Sequence, residues 1–231
     1  MTTPIRAVLF DAGNTLIYVD PARMTEVLAR AGAAVDVAAV ARVEHTARRI
    51  LHDGIAQGHR GTEPELWKAY FVAIFQGGGV PSDRMEEAGR YLGELHASNH
   101  MWTHVEPGTV EALEALAGAG YRLGVISNAD GRVEAVLEDV GLRSHFEFVI
   151  DSEVVGVEKP DPAIFEEGCR RMDLPPEACL YVGDLYPVDY VGATGAGLQA
   201  VLIDPLGLHD GRAPRVTSLG ELPGYLARQG G

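Results

Sequence analysis

The feature that most constrains the fold is a regular alternation of strand and helix signals that begins after Pro107-Gly108. Residues 110–116 space their apolar side chains for a helix that stops at Gly118 and Gly120, and 122–127 read as a strand. A helix over 131–140, a strand over 146–150, a helix over 162–172 and a strand over 179–182 follow. A helix over 186–196 and a strand over 198–203 come next, and the Gly- and Pro-rich stretch 204–214 reads as a loop before a last short strand and helix. Units of this length predict an α/β fold, a Rossmann-like parallel sheet with helices on both faces. Far upstream, residues 5–10 (IRAVLF) form a short apolar run that stops at Asp11 and reads as one more buried strand.

In such sheets ligands bind at the carboxyl ends of the strands. Asp11, Ser127-Asn128, Asp151 and Gly183-Asp184 each follow a strand, so all of them are expected on one rim. Their chemistry is consistent. Asp11 opens a tight turn (DAGNTL) and is a carboxylate suited to nucleophilic attack or to holding a metal. Ser127 and Asn128 offer a hydroxyl, an amide and backbone N–H groups to an anion. Lys159 stands before Pro160, and Asp161-Pro162 then supplies an N-cap and a first helical residue. That loop aims an ammonium at the rim, where it would neutralise phosphate charge. Asp184 and Asp189 add two carboxylates, hard oxygen ligands of the kind that suit Mg²⁺.

These segments, in this order, resemble the four motifs of the haloacid dehalogenase (HAD) superfamily, in its phosphatase-like branch with a helical cap. LFDAGNTL (9–16) is similar to the first motif, VISN (125–128) to the second, Lys159-Pro160 to the third, and Gly183-Asp184 through Asp189 to the fourth. The resemblance implies a core from residues 1–19 and 103–231, with 20–102 as an inserted α-helical cap that closes over the strand ends. It implies that Asp11 forms an aspartyl-phosphate, with Lys159 as its catalytic partner. Ser127, Asn128 and Lys159 would bind the substrate's phosphate. Mg²⁺ would be held by Asp11, the Gly13 carbonyl, Asp184 and Asp189. The expected activity is Mg²⁺-dependent hydrolysis of a small phosphorylated metabolite. The chain departs from the family pattern at Gly13, where an acid–base aspartate is usual.

Three readings follow from that departure. The segment 20–102 would supply the missing group, and His45, His52 and His59 at seven-residue spacing or His96, His100 and His104 at four-residue spacing are its candidates. Alternatively the chemistry differs, as in a phosphonate hydrolase using Lys68, the one lysine of that segment, or in a haloacid hydrolase that needs no metal. The third reading is a catalytically impaired module that binds a phosphorylated ligand or a protein. Trp67, Tyr70, Phe71, Ile74 and Phe75 fall at helical spacing and read as packing residues, while Gly32, 54–61 and 77–81 read as helix breaks.

Charge narrows the partners. With 33 acidic against 19 basic residues the net charge is −14, a field that repels nucleic acid and anionic lipid. An anion site must therefore be made locally, and Lys68 and Lys159 are the only lysines. No apolar run is long enough to span a membrane. Cys169 and Cys179 show no metal-ligand spacing and no signal peptide precedes them, which predicts reduced, buried thiols in a cytoplasmic protein. The oligomeric state has no signature in the sequence.

Overall fold

The computed structural model describes residues 3–59, 61, 63–209 and 211–229. In chain order the strands are β1 (Ala7–Phe10), β2 (Tyr18–Val19), β3 (Trp102–His104), β4 (Arg122–Ser127), β5 (Val149–Asp151), β6 (Cys179–Gly183), β7 (Gln199–Ile203) and β8 (Arg215–Val216). The α-helices are α1 (Pro21–Arg30), α2 (Val37–Ala56), α3 (Pro64–Gly77), α4 (Met85–Ser98), α5 (Thr109–Gly118), α6 (Val133–Asp139), α7 (Ser152–Val155), α8 (Pro162–Met172), α9 (Val191–Gly195) and α10 (Leu222–Gln229). Contacts divide the chain into two units, 1–17 with 105–231, and 18–104.

The first unit is the α/β unit. Its six-stranded sheet runs β5-β4-β1-β6-β7-β8, and all its pairings are parallel. β1 and β6 are buried at every position, as expected of strands covered on both faces. From β1 the chain moves outward to β4 and β5, then crosses back to β6 on the other side of β1. The strand order therefore reverses beside β1, the topological position where such sheets bind ligands. Lys159 lies on that return crossing, just ahead of α8. The helix begins as its sequence dictates: Asp161 accepts from the Ala163 N–H at 2.9 Å and Pro162 occupies the first turn. Cys169 and Cys179 are both free, buried and part of the core between α8 and the sheet.

The segment 186–196 is not the single helix expected of it. A wide π-type turn spans Tyr186–Tyr190, and only then does the short α9 begin. The cause is Asp189, whose side chain folds back to accept the N–H groups of Asp184 (3.0 Å) and Leu185 (2.8 Å).

The second unit holds α1–α4 and the antiparallel pair β2–β3, in which Tyr18 pairs with His104. Gly54 does not break α2, contrary to the sequence reading. It lies inside the helix, and a Cβ there would stand 2.3 Å from Leu66 Cδ1, so glycine lets α3 approach. α2 ends at Ala56, so His59 falls beyond it and bonds Glu63 at 2.8 Å, while His45 and His52 are on the helix. α4 ends at Ser98, so His96, His100 and His104 do not share a helix. Tyr70, Ile74 and Phe75 are buried as packing residues, and Trp67 and Phe71 are half-buried. One polar knot is buried here. Arg48 binds Glu44 through two N–H groups at 2.8 and 2.7 Å, and Tyr70 donates to Glu44 at 2.6 Å.

Candidate active site

The site is assembled from the ends of three adjacent strands and one crossing loop. Asp11 follows β1 directly, and its N–H donates to the Val182 carbonyl on β6 at 2.8 Å. The turn after it closes tightly, with the Leu16 and Ile17 N–H groups both reaching the Ala12 carbonyl. Asn14 takes the left-handed conformation at φ 55°, which asparagine tolerates better than most residues. Its Oδ1 is buried with no hydrogen-bond partner among the described residues. Gly13, expected to offer a carbonyl to a metal, lies in this turn and bridges to Ile17.

Ser127 ends β4, and its hydroxyl donates to Asp11 Oδ1 at 3.0 Å, although the two residues are 116 positions apart in sequence. Lys159 Nζ reaches the same oxygen at 2.8 Å and Asp189 Oδ1 at 2.8 Å. Its third proton goes to the Tyr181 hydroxyl at 2.9 Å. Every donor of this ammonium is therefore in use. Asp184 follows β6, and ligand atoms of Asp11, Asp184 and Asp189 lie within 4.8 Å of one another. The loop geometry depends on Gly183, where a Cβ would meet Asp189 Cγ at 2.4 Å. All five charged or hydroxyl-bearing members (Asp11, Ser127, Lys159, Asp184 and Asp189) are buried.

The electrostatics follow from three clustered carboxylates with one ammonium, which pairs with two of them. Burial pushes the Asp11 carboxyl up from the usual carboxylate range, against the opposing pull of Lys159. Burial also opposes the charge on Lys159, but Asp11 and Asp189 more than offset it and hold the group well above an ordinary lysine. Lys159 is thus cationic throughout the neutral range. A cluster with this excess of negative charge, built from hard oxygens, fits a divalent cation such as Mg²⁺.

Two expected rim residues have other uses. The Asn128 side chain grips the backbone of Lys159, accepting its N–H at 2.7 Å and donating to its carbonyl at 2.9 Å. The amide has a second N–H, so a contact from Asn128 to a phosphate would come from that proton or from its backbone. Asp151 caps α7 by accepting the Glu153 N–H at 3.0 Å, and also accepts the Val133 N–H at 3.3 Å, which makes it a scaffold residue. Lys68 is on the surface, its side chain 71% exposed and 3.8 Å from Glu65, without the desolvation that activates a Schiff-base lysine. Tyr181 escaped the sequence reading. Its signal was a phenol in an otherwise apolar buried strand, where the hydroxyl must find a partner.

A model of the haloacid dehalogenase-like hydrolases matches residues 5–197. The chain belongs to this family. Haloacid dehalogenase-like hydrolase domain-containing protein 3 of Mus musculus is 37% identical over 143 residues, covering 62% of this chain and 57% of that protein. The chain spans about three fifths of the length of the first curated relatives that it matches. Glyceraldehyde 3-phosphate phosphatase of Methanothermobacter thermautotrophicus is 42% identical over 99 residues, 42% of this chain and 44% of that one. Among solved structures, 2-haloacid dehalogenase of Pseudomonas syringae is 29% identical with a TM-score of 0.58, covering 97% of this chain and 99% of that one. As a hydrolase of this family the chain has its candidate site inside the matched residues. Among the described residues no helix is long and apolar enough to cross a membrane.

Proposed function

We propose that this hydrolase cleaves the phosphate ester of a small metabolite through an aspartyl-phosphate on Asp11, with Mg²⁺ bound by Asp11, Asp184 and Asp189. The observation that carries the reading is the cluster of three buried carboxylates with one buried ammonium. Bound there, Mg²⁺ would polarise the phosphoryl group and offset the charge that develops during transfer. The chain's own residues do the rest. Ser127 and Lys159 orient the Asp11 carboxylate and then bind the phosphoryl oxygens. Because all three N–H groups of Lys159 are engaged, it meets the substrate by exchanging a carboxylate for a phosphoryl oxygen. Asp189 steadies the loop that carries Asp184.

Gly13 has no side chain with which to protonate the leaving group or to activate water. Positioned acid–base catalysis contributes roughly 10²–10⁴-fold, so turnover is expected to be slow on poor leaving groups and better on activated ones. The named phosphatase among the relatives supports phosphate chemistry, and the dehalogenase structure favours a second reading, hydrolysis of a 2-haloacid. A three-carboxylate site weighs toward the first, since a halide leaves without help from a cation. The test is release of inorganic phosphate from an aryl phosphate with Mg²⁺, run beside halide release from a short 2-haloacid. Phosphate release that Asp11→Asn abolishes supports the proposal. Halide release that is indifferent to Mg²⁺ selects the second reading, and neither product defeats both.

A further inference from the structure

Tyr181 touches the charged cluster, yet the chemistry proposed above does not use it. It lies on β6, wholly buried, with its ring edge-on to Phe165 at 5.0 Å between centroids. Its hydroxyl is a junction: it accepts from Lys159 Nζ at 2.9 Å and donates to the Ile126 carbonyl at 2.7 Å. Ile126 immediately precedes Ser127 on β4. One hydroxyl therefore ties the ammonium to the strand that delivers the serine. Packing alone would be served by a phenylalanine, because a buried hydroxyl is costly unless it is fully hydrogen-bonded.

The three acceptors of Lys159 differ in kind. Asp11 and Asp189 are carboxylates that a cation or a reacting phosphoryl group would also claim. Tyr181 is neutral and has no competing claimant. We infer that Tyr181 is a positioning residue, whose hydroxyl keeps Lys159 Nζ directed at Asp11 and Ser127 when the carboxylates are drawn elsewhere. Its kinetic consequence rests on the phosphohydrolase reading, whereas its hold on the ammonium does not.

The lysine content makes a direct test available. Labelling lysine with ¹⁵N places signals on Lys68 and Lys159 alone. The Lys68 side chain is 71% exposed, so its ammonium protons should exchange quickly, whereas Lys159 is buried and its protons should be protected. Tyr181→Phe keeps the ring and removes the hydroxyl. The expected result is a protected Lys159 ammonium signal in the wild type that survives saturation with Mg²⁺ and inorganic phosphate. In Tyr181→Phe that signal broadens or vanishes, and kcat on an aryl phosphate falls roughly tenfold with a much smaller change in KM. Circular dichroism checks that the variant is folded, and if it is not, the wild-type signal with and without Mg²⁺ decides the matter. The inference is overturned if Lys159 is equally protected in the folded variant, or if wild-type protection collapses once Mg²⁺ is added. A wild type that releases no phosphate would defeat the phosphohydrolase reading, and the ammonium signals would still decide the role of Tyr181.

Discussion

Two buried charge clusters in this molecule invite comparison. In the helical unit Glu44, Arg48 and Tyr70 form a knot in which one carboxylate meets one guanidinium. Its charges come from one helix at i,i+4 spacing, and they cancel. In the α/β unit Asp11, Asp184 and Asp189 cluster, Lys159 pairs with the first and the last of them, and the members come from segments far apart in sequence. The first cluster is complete in itself. The second sets three carboxylates against one ammonium, a composition that fits a visiting cation.

Substitutions can break this contrast. The largest effect is expected from Asp11→Asn. It should abolish phosphate release, a fall on the order of 10⁴-fold or more for a lost nucleophile, without lowering the thermal midpoint. The carboxyl it replaces is one whose charge burial already disfavours. Glu44→Ala should do the reverse. Leaving the Arg48 guanidinium buried and unpaired costs about 3–5 kcal/mol of stability, read by urea unfolding, while turnover per folded molecule stays near wild type. Mg²⁺ sharpens the same difference. At a hundred times its Kd it should stabilise the wild type by about 2.7 kcal/mol in calorimetric scans, and Asp184→Asn should lose most of that gain while Glu44→Ala keeps it.

Gly13→Asp adds a carboxylate beside the unbalanced cluster and should raise kcat, by up to about 10²-fold if the missing acid limits turnover. An unchanged rate would mean that the proton comes from another group. The smallest effect belongs to an exposed control pair, Arg122 and Glu147, joined at 2.6 Å. Its hydrogen bonds to Arg122 hold Glu147 below the usual carboxylate range. Its contribution is therefore present above the ordinary glutamate pKa and fades as pH falls through the lowered value. Glu147→Gln should cost under about 1 kcal/mol by urea unfolding at neutral pH, and nothing in acid.

Much of this was legible in the sequence where the signal was local. β4 and α8 fall at their expected residues because Ser127 ends an apolar run and Asp161-Pro162 begins a helix. Ser127, Lys159, Asp184 and Asp189 do lie around Asp11, since parallel strands deliver their carboxyl ends to one rim. What escaped depends on partners distant in sequence. The turn at Tyr186–Tyr190 is set by a carboxylate reaching back to two N–H groups. Gly54 reads as a break until Leu66 is seen against it. The hold of the Asn128 amide on the backbone of Lys159 joins residues 31 positions apart and has no local signal. β2 and β3, of two and three residues, are too short to show a period.

The pairing of β2 with β3 also bears on how the chain reaches this state. β1 must wait for β4, which leaves it a long loop to close during synthesis. The helical unit is contiguous in sequence and can organise first, and its two strands bring the entry and exit of the segment together. Once they are clasped, the effective loop between β1 and β4 shrinks several-fold, which saves roughly 1 kcal/mol of closure entropy. The strand that ends at Asp11 then has a shorter loop to close when it joins β4. A segment whose ends meet in this way is also one that evolution can exchange for another without disturbing the sheet.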